Sequence, residues 1–279
     1  MVKGIETFEN FFRDFSQEYV LIGGTACDLL MEEAGIEFRA TKDLDIVLIV
    51  EALTEKFGMK FWEFIISGDY ETREKSNGKP ELYRFSKPKV SGYPFMIELF
   101  SRTSQEIIKS ENIIPFHISD DISSLSAILL DEDYYNFLME GRVFVRGLPV
   151  LSELYLIPFK AKAWIDLVIK KENGYNIDSR DINKHKNDIF RLSALISSDK
   201  KLNLNGSILE DMEKFINLIK DEPIDLKSIG IKRRTKEEII DLIHVPRIPP
   251  PLNYLARINE SEGGGMNRFM SVYNTFVGV

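Results

Sequence analysis

One cysteine and three histidines in 279 residues leave little material for sulfur or imidazole chemistry. A lone Cys27 cannot close a disulfide within the chain or build a thiolate zinc site, and it suits a reducing interior. Long apolar runs are missing too. Stretches such as Ile46 to Val50 and Tyr155 to Phe159 fall far short of the roughly 20 residues that a membrane-crossing helix needs. The opening residues, Met1 to Asn10, carry Lys3, Glu6 and Glu9, which is not the basic-then-apolar layout of a signal peptide. No internal repeat is present. A cytoplasmic protein with no membrane partner is expected. Nor is there a basic excess: 36 Lys and Arg face 44 Asp and Glu, a net charge of −8, which argues against coating nucleic acid with the whole surface.

What is present is ordinary for a folded chain, with 44% hydrophobic and 29% charged residues, and this excludes disordered, collagen-like and coiled-coil classes. The length suits two domains or one large one. Helical spacing over 5 to 16 leads into a short buried strand at 19 to 22, which ends at Gly23-Gly24, with a helix opening at Thr25. Strand patterns follow at 44 to 50, 81 to 87 and 94 to 101, with a helix at 54 to 67. Residues 112 to 118 and 142 to 150 read as further strands or edge pieces, with a short helix at 132 to 140 between them. From Ser152 the character changes: 152 to 172, 179 to 197 and 206 to 220 carry apolar stripes of helical period. The expected class is therefore α/β (α+β), a mixed sheet with flanking helices over residues 1–150 and a mainly helical domain over 151–279. Stiff PRIPPP at 246 to 251 and flexible EGGG at 262 to 265 close the chain.

Chemistry concentrates in two places. Gly23-Gly24-Thr25 stands where a strand turns into a helix, so backbone N–H groups and the helix dipole can cradle a phosphate, although such a corner is more often plain turn geometry. Asp43 and Asp45, in Arg39-Ala40-Thr41-Lys42-Asp43-Leu44-Asp45, lie two apart at the mouth of a strand and present both carboxylates on one face. Like charges so placed are commonly compensated by a hard divalent cation. Glu98 interrupts the apolar strand Phe95 to Phe100, and a carboxylate there is costly unless paired or metal-bound. Three carboxylates on neighbouring strands can hold two metal ions.

These residues resemble the nucleotidyltransferase superfamily whose type member is DNA polymerase beta. The Arg39-x-Thr41-x-Asp43-Leu44-Asp45 version is similar to its AbiEii/AbiGii toxin-like branch. The likeness extends to Ile157-Pro158-Phe159-Lys160-Ala161-Lys162-Ala163 and Lys184-His185-Lys186-Asn187-Asp188-Ile189-Phe190, and spans about residues 20 to 192. Eighteen residues separate Gly24 from Asp43, which suits that branch, and the third acid is Glu where Asp is commoner. The resemblance implies transfer of a nucleoside monophosphate from a nucleoside triphosphate to an acceptor hydroxyl with Mg²⁺. Asp43, Asp45 and Glu98 would bind two ions, with Glu98 also a candidate base. Gly23, Gly24 and Thr25 would hold the triphosphate, with Arg39 and Thr41 also binding the nucleotide. Lys160 would meet the phosphates, and Asp188 would position that lysine or the nucleotide. RNA is one expected acceptor, and a toxin-antitoxin or phage-defence setting implies an antitoxin partner.

Other residues read blandly. Lys162 snorkels, His185 sits on an exposed helix face between Lys184 and Lys186, and Cys27 is a core residue. From Lys160 to Lys201 ten basic residues face six acidic ones, and Ile231 to Lys236 adds a second basic cluster, a surface able to steer an anionic partner, although most of these lysines read as solvated helix faces. A nucleotide-binding module without transfer activity, or a scaffold with structural acids, are the readings from other classes.

Overall fold

The computed structural model describes residues 2–74, 80–102, 128–129, 131–197 and 204–244, with the backbone alone for 72–74 and 80–83. The expected strand at 112 to 118 and the PRIPPP and EGGG segments lie outside the described residues. Met1–Ile243 form one compact unit. Its elements in chain order are α1 (Ile5–Phe12), β1 (Tyr19–Ile22), α2 (Gly23–Glu33), β2 (Asp43–Leu48), α3 (Glu55–Ser67), β3 (Glu71–Glu74), β4 (Pro80–Ser86) and β5 (Met96–Phe100). There follow α4 (Glu132–Glu140), β6 (Arg142–Val145), β7 (Leu148–Leu151), α5 (Glu153–Glu172), α6 (Ser179–Leu192), α7 (Gly206–Ile219) and α8 (Lys236–Ile243).

The class is mixed α/β, as expected. Seven strands form one sheet in the order β3-β4-β5-β2-β1-β7-β6. The β2–β5 and β1–β7 pairs are parallel and the others antiparallel. Every residue of β1 is buried, as a central strand covered on both faces requires. α2 is buried continuously from Gly24 to Met31, including Thr25 and Asp28, because it lies against β1 and β2 on one side and α5 and α6 on another. The passage from sheet to helices falls between β7 and α5, inside the compact unit, so the helices of residues 153–243 belong to the same unit as the sheet.

Local chemistry accounts for most boundaries. Thr54 Oγ1 accepts from Phe57 N at 3.2 Å to cap α3, and Asp178 accepts from Arg180 N at 2.8 Å to cap α6. The segment at 142 to 150, read as strands or edge pieces, is a hairpin: Arg146 and Gly147 both have positive φ, 54° and 83°, the backbone of a tight two-residue turn. α8 begins with a reciprocal cap, Thr235 N donating to Glu238 Oε2 at 2.7 Å and Glu238 N to Thr235 Oγ1 at 3.2 Å.

An aromatic core cluster joins α1 and α3 to the sheet. Phe12, with no solvent exposure, has Phe8, Phe64, Phe57 and Phe61 at ring-centroid distances of 4.5, 5.4, 5.6 and 6.0 Å. Truncation there opens a cavity that neighbouring rings cannot fill. Phe12→Ala is expected to cost about 3–5 kcal/mol. Phe144→Ala, on edge strand β6 with the residue 55% exposed, should stay within about 0.5 kcal/mol. Urea titration of both variants checks the contrast.

Candidate functional site

The strand register assembles the acidic side of the site. Ile22 pairs with Asp45, and Asp45 pairs with Glu98, so the end of β1, the mouth of β2 and the middle of β5 stand side by side. Gly23 follows Ile22 with φ +65°, and a Cβ there would sit 1.9 Å from Asp45 Oδ2. Only glycine allows both the backbone conformation and this approach. A Cβ on Gly24 would lie 2.6 Å from Thr41 Oγ1, so the loop before β2 closes just as tightly over the start of α2. Thr25 Oγ1 fastens this corner by donating to the main-chain oxygen of Asp43 at 2.6 Å.

The helices supply the basic side. Asp188 on α6 is fully buried and receives three cations. Arg39 Nε and Nη2 donate to its two oxygens at 2.8 and 2.7 Å, Lys160 Nζ to Oδ2 at 2.9 Å, and Arg191 Nη1 to Oδ1 at 3.3 Å. Both guanidinium groups lie near the Phe38 ring, at 5.2 and 5.8 Å from its centroid. Burial alone would raise the Asp188 carboxyl, but Lys160 and Arg39 outweigh it and hold it well below the usual carboxylate range. Burial pushes the neighbouring Cys27 thiol up to about 12, so it is a neutral core group.

Between these sides lies a cavity of about 210 Å³ lined by Gly23, Gly24, Thr41, Asp43, Asp45 and Glu98 from the sheet side. Leu156, Phe159, Lys160, Ala163 and Leu167 of α5 and Lys184 and His185 of α6 complete it. Burial first, then Glu98 and Asp43, push the Asp45 carboxyl up to about 7, with Lys184 and Lys160 opposing. Glu98 is held by Arg84 of β4, its partner in the strand register, through Nε and Nη2.

Of the residues expected from the sequence, Gly23, Gly24, Thr41, Asp43, Asp45, Glu98 and Lys160 share this cavity, and Asp188 touches Lys160. Thr25 and Arg39 do not line it. The Thr25 side chain is buried and its hydroxyl is spent on Asp43, while Arg39 is engaged by Asp188 and opens onto a neighbouring groove with Asp28, Glu32 and Phe38. His185, expected on an exposed face, is part-buried at the cavity wall. The sequence reading missed Arg84, which pairs opposite Glu98, and Lys184, one helical turn before Asp188. Both are visible once register and helical period are applied to them.

Among the described residues, no three Asp, Glu, His or Cys side chains converge into a ready-made ion site. The donors nonetheless fit a hard cation: Asp43 and Asp45 offer oxygen only and line the same cavity as Glu98. Glu98 would join them by exchanging Arg84. Comparisons of the chain with protein-family models, curated proteins and solved structures find no match. No helix among the described residues is long and apolar enough to cross a membrane.

Two measurements test these electrostatics. Asp188→Asn leaves three buried or part-buried cations facing one another and is expected to cost about 3–5 kcal/mol in urea titration. Removing one cation as well, in Asp188→Asn/Arg191→Leu, should recover part of that loss. For Asp45 the folded state holds the proton more tightly than the unfolded chain. Its stabilising contribution is therefore complete below the ordinary value of 3.8 and is lost as pH rises towards 7. With chelator present, the thermal midpoint of Asp45→Asn should exceed that of wild type by a margin that grows from about pH 4 to about pH 7.5. A margin constant across that range would contradict the assignment.

Proposed function

We propose that the protein is a Mg²⁺-dependent nucleotidyltransferase that moves a nucleoside monophosphate from a nucleoside triphosphate to an acceptor hydroxyl. One observation carries this reading: a single cavity sets Asp43, Asp45 and Glu98 against Lys160 and Lys184 at a strand-Gly-Gly-helix corner. A triphosphate is the substrate whose charge suits both sides at once. Its oxygens meet the two ammonium groups and the N–H groups at the start of α2. Asp43 and Asp45 would hold Mg²⁺, joined by Glu98 after release from Arg84. When bound, the ion neutralises phosphate charge and polarises the attacking oxygen. We assign the hydroxyl proton to Glu98; the hydroxyl oxygen then bonds to the α-phosphorus as the bond to the β-phosphate oxygen breaks and pyrophosphate leaves. Asp188 keeps Lys160 charged and in place.

RNA as acceptor, an antitoxin as partner and a cytoplasmic location extend this proposal and draw on the sequence resemblance and the single buried cysteine. The basic surface adds little, because Lys160, Lys162 and Lys186 are ion-paired to Asp188, Asp211 and Glu222. The Arg84–Glu98 pair favours a second reading, a module that holds nucleotide without transferring it.

Thermal unfolding with each of the four nucleoside triphosphates, with and without Mg²⁺, and an assay for pyrophosphate release test both readings. At 100 times the dissociation constant the bound ligand adds about 2.7 kcal/mol. A Mg²⁺-dependent upward shift, abolished in Asp43→Asn/Asp45→Asn and accompanied by pyrophosphate release, is the expected result. A shift without release selects the binding module, and no shift with any triphosphate removes the nucleotide site.

A further inference from the structure

The cavity has a side that phosphate chemistry leaves without a role. Leu156, Phe159, Ala163 and Leu167 fall at positions i, i+3, i+7 and i+11 of α5, one face of the helix, and form an apolar strip bordering the same space as the acids. Phe159 is packed edge-on against Tyr134 at 5.1 Å, and the Tyr134 hydroxyl donates to Asp211 Oδ2 at 3.0 Å, so the strip is braced from behind. Next to it stands His185, whose Nδ1 is buried and has no hydrogen-bond partner among the described residues.

A buried polar atom left without a partner is costly, and one that lines a cavity is placed to receive a partner from a ligand. Burial foremost, with Lys160 next, pulls the His185 pKa down to about 3, so the ring is neutral near pH 7 and carries one donor and one acceptor. A phosphate is better met by a cation. A neutral imidazole beside an apolar strip suits a flat heteroaromatic ring with its own donors and acceptors along one edge.

Given the nucleotide reading above, on which this inference rests, we propose that the α5–α6 side of the cavity seats the nucleobase and that His185 reads its hydrogen-bonding edge. The strip from Leu156 to Leu167 covers the apolar face of the base, while Lys160 and Lys184 keep the phosphates towards the acids. His185 is thus a specificity-determining residue, and the preference among the four bases resides in it.

The test compares wild type and His185→Phe, which keeps ring volume and removes both nitrogens, in calorimetric titration with the four nucleoside triphosphates and with inorganic tripolyphosphate, all with Mg²⁺. His185→Ala takes its place if the Phe variant fails to show a wild-type unfolding transition. Wild type should prefer one base, and the variant should lose about tenfold of that preference, the worth of one hydrogen bond to a neutral group, with tripolyphosphate affinity unchanged. An unchanged ranking in the variant overturns the role of His185. Equal affinity of wild type for tripolyphosphate and for every triphosphate overturns the base seat while leaving the phosphate site standing. Binding of none of these ligands to wild type overturns the nucleotide reading and this inference together.

Discussion

Asp188, a carboxylate with no solvent exposure, gathers Arg39, Lys160 and Arg191 from three segments of the chain. Such a cluster adds little net stability, because the desolvation of four charges offsets most of their attraction. What it contributes is placement. It ties the loop before β2 to α5 and α6, and it fixes the Lys160 ammonium at the cavity wall although that side chain is only 5% exposed. With one negative and three positive charges the cluster carries a positive surplus, of which Lys160 faces the cavity while Arg39 opens onto the neighbouring groove.

The sheet side is built on the opposite imbalance. Register alone sets Asp45 beside Glu98, and Gly23 removes the side chain that would have separated Asp45 from the start of α2. Arg84 answers Glu98 directly, whereas Asp45, desolvated by burial and set beside Glu98, binds its proton unusually tightly although Lys184 and Lys160 oppose this. The two halves of the cavity are thus complementary but not mutually neutralised. The ligand proposed above, with anionic groups and an associated cation, would complete the balance.

The sequence made the charged core of the site legible because its residues lie on regular elements with fixed periods. Gly23-Gly24 marks a strand-to-helix corner, and Asp43-x-Asp45 marks a strand face. Thr25 was misread since a hydroxyl at a helix start has several partners within reach, and only the tertiary approach of β2 decides for the Asp43 carbonyl. His185 was misread because its lysine neighbours suggest an exposed face; Lys186 is itself buried, with its ammonium on Glu222 and the Pro223 carbonyl. β3, with Glu71, Arg73 and Glu74 among its four residues, carries no apolar alternation to announce it. α8 had its signal in Thr235-x-x-Glu238, hidden inside a run of basic residues.

The parallel pairing of β1 with β7, Leu21 beside Val150, bears on how the protein is made. On a ribosome β1, α2 and β2 emerge long before β7 can flank them, and later still come α5 and α6. Until then Arg39 has no carboxylate to receive it, and Asp43 and Asp45 face no lysine. A fragment severed at the junction of β7 and α5 would inherit that unfinished state, with its acids uncompensated and α2 stripped of its cover. Proteolysis at this one connection would therefore silence the cavity by undoing its charge balance, even with every sheet residue still present.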